Sequence, residues 1–183
     1  MADKKIAVYI CSDCGIGEAL NIEALQTVAS KEYKIEIVKT APFLCSEEGA
    51  AIINDDINNE GVNKIVIAAC SPRVHTDIFD YDTLKYVTER VNLREQIVWT
   101  QMAGETIEAE VSPAAEAASA VNENTQEMAE DHLRMGIVRA QKSEPPVPFI
   151  EEINRTILVI GGGKAGLTSA LESAKAGYDV VLL

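Results

Sequence analysis

Four cysteines carry the chemistry this chain could perform, and three of their positions are the ends of expected β-strands. Cys11 follows the apolar run Ala7-Val8-Tyr9-Ile10, with Cys14 three residues on. Cys45 follows the second such run after a short turn, and Cys70 directly follows Ile65-Val66-Ile67-Ala68-Ala69. In an open α/β sheet the carboxyl ends of the strands form one rim where ligands bind, so residues far apart in sequence can meet there. Thiolates select zinc or iron–sulfur clusters. Zinc sites usually arrive as two close pairs, whereas this chain has one pair and two singles. Cys14-Gly15 and Cys45-Ser46 each lead into an expected helix, whose free N–H groups would favour an anionic cluster. Two alternatives stay open. Cys11-Ser-Asp-Cys14 between a strand and a helix is also the setting of thiol–disulfide exchange. Some of the four could equally be small core residues.

A second constellation is Gly161, Gly163 and Gly166, with G-x-G-x-x-G spacing. The first glycine permits a tight turn, the second lets backbone approach a pyrophosphate, and the third lets helix and strand pack closely. The spacing alone is weak evidence. Here a strand precedes it, a helix follows, and a second strand comes at the right distance, which makes it a dinucleotide-binding fingerprint. The acidic residue that would hold the ribose hydroxyls falls beyond Leu183, so the chain reads as a piece of a longer protein.

Near the cysteines, His75 is read as a hydrogen-bond donor behind the metal ligands, as a proton carrier, or as a helix-start residue bonded to backbone. Arg73 and Arg94 are read as offsetting cluster charge or as surface ion pairs, and Trp99 as a core or rim residue. No side chain is assigned bond-making catalysis.

These residues need elements to hold them. Residues 5–10, 34–39 and 64–69 read as strands, and 18–30 and 47–60 as helices, the latter capped by Ser46 and closed by Gly61. A helix over 82–91 and a strand over 96–100 complete the alternation. The third strand is almost wholly apolar, as when helices cover both faces of a parallel sheet. The fold class is therefore α/β: a doubly wound, flavodoxin- or Rossmann-like first domain, a long helix over 114–141, then the first βαβ of a Rossmann domain. Val121, Met128 and Met135 recur every seven residues on the long helix, a packing seam suited to the sheet or to a homodimer. Residues 143–152 read as a proline-rich linker, giving domains at 1–142 and 153–183.

The chain has 183 residues, with 29 acidic against 16 basic side chains and a net charge of −13. That charge argues against a nucleic-acid partner. Between Arg94 and Arg134 there is no Lys or Arg, and the acid collected there is a solvated face or a docking surface for a basic partner. No apolar run reaches the ~20 residues of a membrane span. Nothing at the start suits a signal peptide, so a cytoplasmic location is expected, where thiols stay reduced and metal binding outweighs a disulfide framework.

Several segments together resemble the A-subunit of heterodisulfide reductase (the HdrA family). They are Cys70-Ser-Pro-Arg-Val-His-Thr-Asp-Ile-Phe79, Asn92-Leu-Arg-Glu-Gln-Ile-Val-Trp99, Asp131-His-Leu-Arg-Met-Gly-Ile-Val-Arg-Ala140 and Val159-Ile-Gly-Gly-Gly-Lys-Ala-Gly-Leu-Thr-Ser-Ala-Leu171. The resemblance runs from about Ile6 to the end and covers the family's N-terminal portion. It implies an iron–sulfur flavoprotein oxidoreductase that passes electrons between partner subunits, with bifurcation at the flavin in several members. It also implies FAD in the intact protein and a 4Fe–4S cluster in the first domain. Carried over, Cys11, Cys14, Cys45 and Cys70 match the cysteine-bearing segments, and Gly161, Gly163 and Gly166 match the FAD turn. The implied partners are the other subunits of such a complex and a donor such as a hydrogenase, dehydrogenase or ferredoxin. Two positions depart from the family. It often shows Cys-x-Cys-Gly where this chain has Cys11-Ser-Asp-Cys14-Gly15, and Thr76 stands where an acid is common. The competing reading is a metal-stabilised interaction module that docks a partner through its acidic region.

Overall fold

The computed structural model describes residues 5–100, 122–149 and 155–183. The chain divides into two compact units, Met1–Pro146 and Val147–Leu183.

In the first unit, strands β1 (Ile6–Cys11), β2 (Ile37–Ala41), β3 (Lys64–Ala69) and β4 (Val87–Asn92) form one parallel sheet in the order β2-β1-β3-β4. This is the expected doubly wound arrangement, with the strand order reversing beside β1. Every residue of β3 is buried, including Lys64. The Lys64 ammonium donates to the carbonyls of Ala140, Gln141 and Ser143 at 2.7, 2.8 and 2.6 Å. There it closes the C-terminal end of a helix, where a cation is favoured.

Helices α1 (Ile16–Ala19) and α2 (Ile22–Thr27) replace the single helix expected over 18–30, and α2 runs on into a π-helical turn, Val28–Glu32. Leu20 is extended, and the Asn21 side chain accepts from the Ala24 N–H at 3.1 Å, so a fresh cap restarts the helix. Helix α3 (Glu47–Asn59) begins as expected at Ser46, whose Oγ accepts from the Gly49 N–H at 3.1 Å. It is tied beneath the sheet by buried Asp56, which accepts from the Tyr9 hydroxyl at 3.0 Å and from Lys39 at 2.6 Å.

Two expected elements are overturned. Residues 87–92 form β4 rather than part of a helix, and 94–98 form a π-helical turn rather than a strand. The alternating Val87-Thr88-Glu89-Arg90-Val91 pairs in register with β3. Asn92 Oδ1 then accepts from the Glu95 and Gln96 N–H groups, turning the chain into a helical bend.

Helix α4 (Glu123–Lys142) starts at Asn122, whose side chain accepts from the N–H groups of Asn124 and Thr125. The part of the expected long helix before residue 121 lies outside the described residues, as does Val121. The heptad stripe is not the buried seam, because Met128 and Met135 are exposed while Ala129, Leu133, Gly136, Ile137 and Ala140 are buried. The first unit is thus covered by α4 through a face of small and branched residues, displaced by one position from the methionines.

The second unit is β5 (Ile157–Val159), α5 (Lys164–Lys175) and β6 (Val180–Leu182), with the two strands parallel. No helix among the described residues is long and apolar enough to cross a membrane.

Candidate metal centre

The carboxyl rim of the four-stranded sheet gathers all four cysteines. Cys11 is the last residue of β1, Cys14 lies in the turn after it, Cys45 directly precedes the α3 cap, and Cys70 directly follows β3. They line one cavity, together with His75 and Arg94. Its remaining walls include Ile16, Leu44 and Phe79, which are buried and present apolar surface to the site. All four are free thiols, with Cys11 and Cys70 buried, Cys45 half-buried and Cys14 exposed.

Local chemistry aims each loop. Cys14 has φ 59° and Gly15 φ 82°, so two consecutive left-handed residues fold the chain back toward β1. For a non-glycine residue this conformation costs about 1–2 kcal/mol, so the surrounding structure must hold Cys14 there. Asp13 helps by accepting from the Cys14 N–H at 2.6 Å. The Cys11 thiol donates to the Pro42 carbonyl at 3.1 Å, joining the β1 and β2 loops. Ser46 Oγ donates to the Phe43 carbonyl at 2.9 Å, which fixes the turn carrying Cys45. Glu95 reaches back from the β4 bend and accepts from the Ser71 N–H at 2.7 Å, fixing the turn after Cys70.

Two arginines set the electrostatics. Arg94 pairs with Glu95 at 2.8 Å and lies 5.1 Å from the Trp99 ring centroid, leaving that ring half-exposed at the rim. Arg90 reaches Cys70 itself, with Nη2 3.5 Å from Sγ, and stacks 4.3 Å from the Phe79 ring centroid. Burial pushes the Cys70 thiol up from its ordinary value, against the pull of Arg90 and Arg94. Burial likewise lowers Arg90.

The residues fit an iron–sulfur group by their donor chemistry: four soft sulfurs, apolar walls and two cations. The fit is not that of a preformed socket. Among the described residues no three His, Cys, Asp or Glu side chains are drawn together as a metal-binding group. The cavity is small, about 20 Å³. A group of several iron atoms needs more, and Cys14 and Cys45 are the two of the four thiols that reach solvent.

Of the other residues singled out in the sequence, His75 lines the cavity in a left-handed conformation, φ 53°, and its carbonyl accepts from the Phe79 N–H at 3.3 Å. Arg94 reaches the site, whereas Arg73 is exposed and is not among its lining residues. Arg90 escapes a reading of the sequence because its segment suits a helix. A strand ending at the same rim is the signal that finds it.

In the second unit the glycine turn follows β5 directly. Gly161 has φ 107°, which favours glycine, and a side chain at Gly166 would collide with the Gly161 carbonyl oxygen. Gly163 is the N-terminal cap position of α5.

A doubly wound domain with thiols gathered on its rim, followed by a strand–glycine turn–helix–strand unit, defines the class. Residues 156–183 match the FAD binding domain family. Over its whole length the chain is similar to part of the A-subunit of heterodisulfide reductase. A heterodisulfide reductase A-subunit-like protein of Archaeoglobus profundus is 34% identical over 188 residues, taking in 99% of this chain and 24% of that protein. The A-subunit of the H(2):CoB-CoM heterodisulfide,ferredoxin reductase of Methanothermobacter marburgensis is 32% identical, covering 100% of this chain and 26% of that protein. The second iron-sulfur A-subunit of the CoB–CoM heterodisulfide reductase of Methanopyrus kandleri is 29% identical, covering 99% of this chain and 26% of that protein. The chain therefore spans about a quarter of the length of these curated relatives.

Proposed function

We propose that this chain is the electron-transfer front end of an iron–sulfur flavoprotein like the A-subunit of heterodisulfide reductase. Residues 1–142 hold a 4Fe–4S cluster through Cys11, Cys14, Cys45 and Cys70, and residues 153–183 open an FAD site at Gly161, Gly163 and Gly166. The observation that carries this reading is the convergence of four thiols from three strand ends on one cavity. The cluster, when bound, supplies one-electron storage at the rim of the sheet. The chain's own residues do the rest. Ile16, Leu44 and Phe79 wall the cavity with apolar surface, Arg90 and Arg94 bring positive charge to the thiolates, Gly161 and Gly166 allow the tight turn and close packing, and Gly163 lets backbone N–H groups face a pyrophosphate. In the intact protein the partners are the other subunits of a reductase complex.

Anaerobic purification with iron and acid-labile sulfide analysis tests it. The expected result is about four irons and four sulfides per chain, with a broad band at roughly 400 nm. A colourless protein containing zinc overturns it.

A further inference from the structure

Arg90 holds the Cys70 loop in a way that a structural role alone does not exhaust. Its Nη2 lies 3.4 Å from the Cys70 carbonyl, 3.2 Å from that of Ser71 and 3.4 Å from that of Val74. Those contacts brace the turn after β3. The same nitrogen lies 3.5 Å from Cys70 Sγ, within reach for a sulfur acceptor. Phe79, itself buried, covers one face of the guanidinium. Arg90 Nε is buried with no partner among the described residues, so this arginine is held in a partly dry place it does not fully satisfy. Arg94 hydrogen-bonds the Glu95 carboxylate, whereas the hydrogen bonds of Arg90 go to carbonyls and a sulfur.

We propose that Arg90 is a positioning residue that also raises the reduction potential of the iron–sulfur group held through Cys70, by bringing an N–H donor and a positive charge to that sulfur. The inference rests on the cluster reading above. Reduction adds one electron to the group and makes or breaks no bond, so the site becomes more negative by one charge. A cation beside a ligand sulfur stabilises the reduced form more than the oxidised form, and low local polarity strengthens the effect. Removing it makes the group harder to reduce.

The test compares wild type, Arg90→Gln and Arg90→Lys, all purified anaerobically and titrated against mediators of known potential, with reduction followed by visible absorbance and EPR. Arg90→Gln is expected to lower the reduced-to-oxidised ratio at a fixed potential about tenfold, or about 59 mV for a one-electron couple. Arg90→Lys keeps the charge but loses the planar fork. Its expected shift is in the same direction and about threefold. Near-ultraviolet circular dichroism and iron content establish that each variant is folded and loaded. An Arg90→Gln potential equal to that of a loaded wild type overturns the role of Arg90 and leaves the cluster reading standing. Where Arg90→Gln does not fold, Arg90→Lys decides, and an unshifted potential overturns the proposal. A wild type that takes up no iron overturns the cluster reading and this inference with it.

Discussion

Cys11 ends β1 and is buried, with its thiol donating to the Pro42 carbonyl, yet it lines the same cavity as Cys14, Cys45 and Cys70. Its Cys-x-x-Cys spacing, one residue longer than the Cys-x-Cys that the resemblance implies, leaves its role open in the sequence. Position favours a ligand, because the end of a central strand is among the most firmly held places in the domain. Replacing Cys14, Cys45 or Cys70 by Ser is expected to take the iron from about four per chain to below about one, because a neutral hydroxyl is a poor substitute for thiolate. Cys11→Ser is expected to do the same. Full iron and an unchanged spectrum in Cys11→Ser would remove Cys11 from the ligand set and point to His75, the cavity's remaining donor of a metal-binding type. Glu89 gives a second prediction at this scale. Burial raises its carboxyl above the usual range, and Arg139 at 3.3 Å offsets only part of that. A carboxylate raised in the folded state costs stability when charged, and the cost disappears as pH falls through the raised value. Glu89→Gln should therefore melt above wild type at neutral pH, with the gap closing as pH falls toward the ordinary carboxylate range. A variant that melts below wild type at pH 7 would mean that the pairing with Arg139 outweighs burial.

Among the elements, α4 depends on Gly136 for its seat on the sheet. An added Cβ there would run into the Val91 side chain of β4, and a valine methyl has little freedom to retreat. Alanine would gain about 1 kcal/mol of helix propensity over glycine. Overpacking a tight contact costs about 1–3 kcal/mol, so the contact decides the sign. Gly136→Ala is expected to lower stability in urea, and Val91→Ala combined with it to recover part of the loss through coupling. Additive losses in the double variant would sink that account. The same contact shows why the sequence reads unevenly. β1 and β3 are legible because short, continuous apolar runs rich in valine and isoleucine suit a strand buried on both faces, and α3 because Ser46 caps it. β4 is not, since Val87-Thr-Glu-Arg-Val carries charges that suit a helix equally well, and pairing with β3 decides it. The buried face of α4 is hidden for a related reason: Met128 and Met135 are the large apolar residues of the stripe, while Gly136 and Ala140 are buried because they are small. The thiol site is legible as a set of strand ends. Arg90 becomes visible only once β4 is known to end at the same rim.

At the scale of the molecule, the first unit does not need a metal to have a core. β3 is buried throughout, and Tyr9, Ile10, Leu25, Ile53, Leu133 and Ile137 are fully buried in one core. The cysteines touch that core at one edge, where the strand ends and the segments after them close the cavity. A ligand that binds the folded state alone still adds stability through mass action. Removing the cluster anaerobically with a chelator is therefore expected to lower the melting temperature, by about 2–8 °C for each kcal/mol of binding energy lost. Far-ultraviolet circular dichroism and a single cooperative transition should survive. This differs from small metal-built domains, where binding energy is folding energy and the apo chain is unfolded. Loss of secondary structure on chelation, with a cluster that mediators cannot reduce, would instead mark the metal as a structural clamp and the domain as a docking module. A folded apo protein that regains its visible band and its reducibility on reconstitution assigns the rim to electron transfer, because the sheet then holds the thiols in place whether or not they are loaded.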